Sequence, residues 1–165
     1  MNPSYAQNVV TKLTEHGLSI ATAESLTGGM LSSAIADVPG ASAVLQGGVV
    51  AYSNAIKHRI LGVSADTLAA RGAVDAETAK QMADGVRQRF QTDLGISTTG
   101  VAGPDPSEGK AVGIVFIALA TPTKTVAKLL RFDGTRHRIR TATVNASLQF
   151  VTEWLHQTDS ELSRP

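Results

Sequence analysis

The chain has 165 residues, 42% of them hydrophobic, which fits one domain with a well-buried core and leaves no room for two of comfortable size. Its 15 basic and 14 acidic residues nearly cancel, to a formal charge of +1, which excludes an overall field drawing it to nucleic acid or to a membrane; an anionic partner must be held locally. The lack of cysteine excludes disulfides, thiolate metal ligands and a cysteine nucleophile, and the four scattered histidines (His16, His58, His137, His156) form no two-histidine helical pair, so no metal site is expected.

Along the chain, Val9 and Leu13 stand at helical spacing within Tyr5–His16, and Gly17 follows as a stop. "LSIATAE" reads as a buried strand. The small and apolar residues from Thr27 to Ala36 predict a helix, closed by the Pro-Gly turn of "DVPGAS". "GGVVAYS" is a second strand, after which Ser53 or Asn54 caps a short helix reaching Leu61. Two helices are expected over Ala65–Arg71 and Ala76–Phe90, the latter capped by Asp75, before a third strand in "TDLGISTTG". "VAGPDPSEGKA" is rich in proline and glycine and reads as a surface loop. "VGIVFIALA" and "KTVAKLLRF" predict a hairpin around "TPT". The last helix spans Thr135–His156, with Ile139, Val144, Leu148, Val151 and Leu155 as its apolar stripe, and the tail from Gln157 is expected to fray.

Strands that alternate with helices early and pair as a hairpin late predict a three-layer α/β/α domain over residues 1–165, with a mixed, mostly parallel sheet and an antiparallel edge. The amino terminus lacks the basic and apolar pattern of a secretory signal, and the longest apolar run, residues 111–120, is about half of a membrane span. A cytoplasmic protein with no membrane partner is expected.

Ligands in such folds gather beyond the carboxyl ends of the strands. Three segments there draw attention: "AESLTGG", "AYSNAIK" and "TTGVAGPD". Gly28 and Gly29 let backbone come close to a ligand, and a helix starting there would aim N–H groups at an anion or a developing oxyanion, where one good donor lowers a barrier by roughly 3 kcal/mol. A plain helix cap by Ser25 or Thr27 fits the same residues. Tyr52 ends a strand and Lys57 lies one turn into the next helix, so both can reach one crevice; a solvated lysine beside a half-buried tyrosine is the alternative. If Ser25 is a nucleophile, no histidine is placed as its base and Lys57 is the remaining option; keeping it deprotonated costs about 3 to 4 kcal/mol and calls for a partly dry site. Arg136 and Arg140 share a helix face, and a guanidinium there can hold a phosphate by two parallel hydrogen bonds. Glu24, inside the first segment, has no role that the sequence supplies.

Together "AESLTGG", "GGVVAYSNAIKHRILGV", "STTGVAGPD", "VGIVFIALA" and "FDGTRHRIR" resemble the CinA carboxy-terminal domain family, over about Val10 to Leu155. The resemblance implies a nicotinamide mononucleotide deamidase: an amidohydrolase that yields nicotinate mononucleotide and ammonia in pyridine nucleotide salvage. It implies Ser25, Tyr52 and Lys57 as the catalytic set, without metal or cofactor. On that reading the backbone near Thr27, Gly28 and Gly29 stabilises the oxyanion, and Gly100, Gly103 and Arg140 hold the ribose phosphate. A small nucleotide is the expected partner, nucleic acid is not, and a homo-oligomer is expected. The alternative is a catalytically silent nucleotide-binding module of the same fold. The chain departs from the family in having Leu26 where cysteine is frequent, and "PSEG" where glycines commonly follow "GPD".

Overall fold

A computed structural model describes residues 3–162. Its layering starts from β1 (Ile20–Glu24), which is buried along its whole length. Period-two alternation turns Ile20, Thr22 and Glu24 to one face of the sheet, and Ala21 and Ala23 to the other. The first face takes the large aliphatic residues. There Ile20 packs with Leu94, Ile96, Ile117 and Leu119 from other strands, beneath α1 (Pro3–His16), α2 (Met30–Ala36) and α6 (Arg136–Leu162). On the second face the residues are small, and α5 (Ala76–Phe90) lies close against the sheet. A side chain at Gly95 would meet the Ala83 carbonyl oxygen at 2.2 Å, and Ser97 Oγ donates to the Ala79 carbonyl at 2.6 Å. Helices α3 (Asn54–Leu61) and α4 (Ala65–Arg71) pack beside α5.

The sheet is completed by β2 (Leu45–Val50), β3 (Leu94–Gly100), β4 (Ile114–Ala120) and β5 (Thr125–Arg131), in the order β2-β1-β3-β4-β5. β1 pairs in parallel with β2 and β3, while β4 is antiparallel to both β3 and β5. Four of the five strands therefore point the same way and β4 alone is reversed, which is the expected mixed sheet with an antiparallel edge. From β1 the chain crosses one face through α2 to reach β2, then returns across the other face through α3, α4 and α5 to reach β3. This reversal opens a crevice beyond the carboxyl ends of β1 and β3, where ligands gather in such folds.

Two boundaries differ from expectation, each for a local reason. The helix expected from Thr27 begins only at Met30, because Gly28 (φ 56°) and Gly29 (φ 97°) adopt left-handed conformations and make a turn instead. The final helix does not fray at Gln157 but continues to Leu162, since "QTDSEL" contains neither glycine nor proline to stop it. The rest of that tail, residues 163–165, lies outside the described residues. Among the described residues no helix is long and apolar enough to cross a membrane.

Candidate active site

The turn after β1 is built around Glu24. Its side chain is fully buried and points beneath the start of α2. The carboxylate accepts from the backbone N–H of Gly29 and Leu31 at 3.0 Å each, from that of Ser32 at 2.8 Å, and from the Ser32 hydroxyl at 2.6 Å. Thr22 Oγ1 lies 2.6 Å from the same hydroxyl. A helix start leaves N–H groups without intrahelical partners, and here an internal carboxylate takes them. Arg140 secures the other side of the turn: Nε donates to the Leu26 carbonyl at 2.8 Å and Nη2 to the Thr27 carbonyl at 2.9 Å.

Between these two anchors the main chain runs through Ser25, whose N–H continues the ladder to the Thr98 carbonyl at 2.9 Å. The Gly28 N–H closes the turn onto the Ser25 carbonyl at 3.1 Å. Thr27 is fully buried and its hydroxyl pairs with that of Thr98 at 2.7 Å. Among the described residues, the N–H groups of Leu26 and Thr27 donate to no protein atom.

Lys57 reaches this turn from α3. Ser53 caps that helix by accepting from Ile56 N–H, and its end packs Leu61 into the core, which points Lys57 inward from the same side. Lys57 is 1% exposed, the bulkiest of the fully buried side chains. Its Nζ donates to the Ala51 carbonyl at 2.9 Å and lies 3.1 Å from Ser25 Oγ. No carboxylate is within ion-pair distance of it among the described residues. Loss of hydration pulls the proton affinity of the amine below the ordinary lysine value, and the Glu108 carboxylate, nearby in the same cleft, partly offsets this. His58, next in sequence, turns away and pairs through Nδ1 with the Val63 carbonyl at 2.8 Å.

A cleft of about 280 Å³ opens over Ser25 and Lys57, lined also by Leu26, Asn54, Thr99, Gly100 and Ala102. Three residues shape its rim. Tyr52 is 60% exposed, and its hydroxyl accepts from Arg136 Nη2 at 2.6 Å. Arg136 Nη1 donates to the Gly103 carbonyl at 2.7 Å, tying the end of β2 to the start of α6 and to the loop after β3. Glu108, with φ 51°, lays its carboxylate against the N–H groups of Ala73 (3.1 Å) and Val74 (3.2 Å). Among the described residues no group of three or more His, Cys, Asp or Glu is placed to hold a metal ion.

The CinA C-terminal domain family matches residues 2–155. The chain belongs to this family. A Desulforamulus reducens protein described as competence-damage inducible is 52% identical over 149 residues, covering 90% of this chain and 36% of its own length. A "CinA-like protein" of Frankia casuarinae is 47% identical, covering 89% and 34%. The chain thus spans about a third of the length of these curated relatives. Among solved structures, the competence/damage inducible protein CihA from Agrobacterium tumefaciens superimposes with a TM-score of 0.88 at 37% identity, over 93% of this chain and 94% of that one. A CinA superfamily protein from Klebsiella pneumoniae gives 0.92 at 29% identity, over 95% and 99%.

In this CinA domain the residues singled out from sequence divide into two groups. Ser25, Lys57, Tyr52 and Gly100 meet at the cleft. Thr27, Gly28, Gly29, Gly103 and Arg140 are not among its lining residues, and serve the turn and loop around it. The Gly28 and Gly29 N–H groups, expected to face an oxyanion, are occupied by the Ser25 carbonyl and by Glu24. Arg140, expected at a phosphate, clamps two main-chain carbonyls, and Arg136, one turn earlier, is the guanidinium at the cleft. Glu108 went unread because an acid in a proline-rich loop has no periodic signal; its placement depends on contacts made 34 and 35 residues away in sequence.

Proposed function

We propose that this CinA domain is an amidohydrolase, acting on the carboxamide of nicotinamide mononucleotide to give nicotinate mononucleotide and ammonia. The observation that carries the reading is a buried lysine amine, lowered in proton affinity, 3.1 Å from a serine hydroxyl at the floor of an open cleft. A buried lysine with no carboxylate partner is costly for a fold to keep, and a general base for serine is a use that repays it.

In the proposed sequence, neutral Lys57 Nζ takes the Ser25 Oγ proton as Oγ attacks the carboxamide carbon, and the carbonyl π pair moves to oxygen. The N–H of Leu26, next after the nucleophile and at the cleft, is the first candidate donor to that oxyanion, with Thr27 N–H beside it. The C–N bond then breaks, the Lys57 ammonium returns its proton to the departing nitrogen, and ammonia leaves an ester on Ser25. Lys57 next takes a proton from water, whose oxygen attacks the ester; collapse returns that proton to Oγ and gives the carboxylic acid, which ionises to solvent as the carboxylate. Arg136 is placed to hold the phosphate at the rim. Tyr52, whose hydroxyl accepts from the guanidinium, positions Arg136 and forms a wall for the ring.

Ammonia release from nicotinamide mononucleotide by wild type, Ser25→Ala and Lys57→Ala tests the reading. Turnover is expected in wild type, and a fall of at least about a thousandfold in each variant. Undiminished turnover in Ser25→Ala overturns the nucleophile. Nucleotide binding without turnover in wild type favours the silent binding module.

A further inference from the structure

The cleft has one acidic residue among its described lining, Glu108, and one cation at its rim, Arg136, apart from Lys57, which must be neutral to act as a base. Glu108 is exposed, but its carboxylate is held in place. Two main-chain N–H groups hold it, at 3.1 and 3.2 Å, and Gly72 passes so close that a side chain there would meet Glu108 Oε2 at 2.4 Å. Each carboxylate oxygen has capacity for more than the one N–H it accepts, so the group keeps a lone-pair face and its charge towards the cleft. A pinned anion lining the same cleft as the reacting serine and a pinned cation at the rim make a dipolar cavity, matched to a ligand with a positive ring and a negative tail.

We propose that Glu108 determines specificity by charge, selecting an aromatic carboxamide whose ring is cationic, a pyridinium, over the same carboxamide on a neutral ring. This rests on the amidohydrolase reading above and extends it to substrate class. The pyridinium nitrogen lies within the ring that bears the carboxamide, so placing the carboxamide carbon at Ser25 Oγ brings the positive ring into the part of the cleft that Glu108 faces. A carboxylate there attracts that charge across the open cleft, weakened by solvent, and offers nothing to a neutral ring.

The test uses a pair of ligands that differ by one hydride on the ring: nicotinamide mononucleotide, cationic and aromatic there, and its reduced, neutral dihydropyridine form, which share phosphate, ribose and carboxamide. The kcat/KM for ammonia release is measured for both with wild type and Glu108→Gln, and the Kd for both by calorimetry with Ser25→Ala and with the Ser25→Ala/Glu108→Gln double variant. The intrinsic reactivities of the two carboxamides differ, and any effect of Glu108 on Lys57 or on the loop touches both. Comparing the ratio between proteins cancels these contributions. The expected result is that Glu108→Gln lowers the cationic-to-neutral ratio about two- to fivefold, in kcat/KM and in Kd, with the neutral form nearly unaffected. An equal loss on both ligands, or no change on either, overturns the proposal. If wild type releases no ammonia at all, the amidohydrolase reading falls. The binding ratio still decides on Glu108: a preference lost in the double variant sustains it, and a pair bound equally, or not at all, overturns it.

Discussion

Replacing Glu24 by glutamine changes almost no volume and tests the internal cap directly. The carboxylate meets four donors: three backbone N–H groups at 2.8 to 3.0 Å and the Ser32 hydroxyl at 2.6 Å. Glutamine has one acceptor oxygen. In its better orientation that oxygen keeps Gly29 and Leu31, and the amide NH2 turns to Ser32, whose hydroxyl can rotate to accept. The Ser32 N–H is then a buried donor without a partner, at about 1 to 3 kcal/mol, and the remaining bonds lose their charge assistance, at about 1 kcal/mol in all. A loss of about 3 kcal/mol is expected, which for a domain of this size lowers Tm by about 6 to 12 °C. Thermal unfolding by circular dichroism reads this. Turnover should fall as well, because the capped turn sets where Ser25 and the Leu26 N–H stand. A Tm within about 2 °C of wild type, with unchanged turnover, would show that the carboxylate is not what holds the turn.

Lys57→Met tests the cost of the buried amine. Its proton affinity is lowered on folding, so between the lowered folded value and the ordinary lysine value the unfolded chain binds more protons, and wild-type stability rises as pH climbs through that window. The variant should therefore melt above wild type at about pH 7, with the gap closing towards about pH 10; a difference independent of pH would contradict the assignment. Tyr52→Phe removes a hydroxyl bonded to Arg136, so it should raise KM several-fold while leaving kcat within about twofold. A loss in kcat alone would instead put the Tyr52 hydroxyl in the proton transfer between Ser25 and Lys57. Arg140→Lys keeps the charge but not the fork that spans the Leu26 and Thr27 carbonyls, and should lower kcat by about tenfold with KM little changed. An increase confined to KM would return Arg140 to the phosphate.

What the residues by themselves determined is what depends on near neighbours. Period-two runs fix strands, Ser53 and Asp75 cap helices within two or three residues of themselves, and the "TPT" turn pairs β4 with β5. Motif content placed Ser25, Tyr52 and Lys57 beside the ends of strands, and sheet topology then carried them to one crevice. What only the tertiary structure decided is which polar groups are already taken. Glu24 has no role legible in sequence and Arg140 reads as a phosphate ligand, yet both are spent on the backbone of one turn, Arg140 from 113 and 114 residues away. The depth of Lys57 was likewise left open by "NAIKHRIL", which admits a solvated lysine as well as one reaching into a partly dry crevice. Hydrogen-bond satisfaction and desolvation are properties of the packed chain: an acceptor, a donor or a charge acquires its role only when distant segments have claimed or refused it.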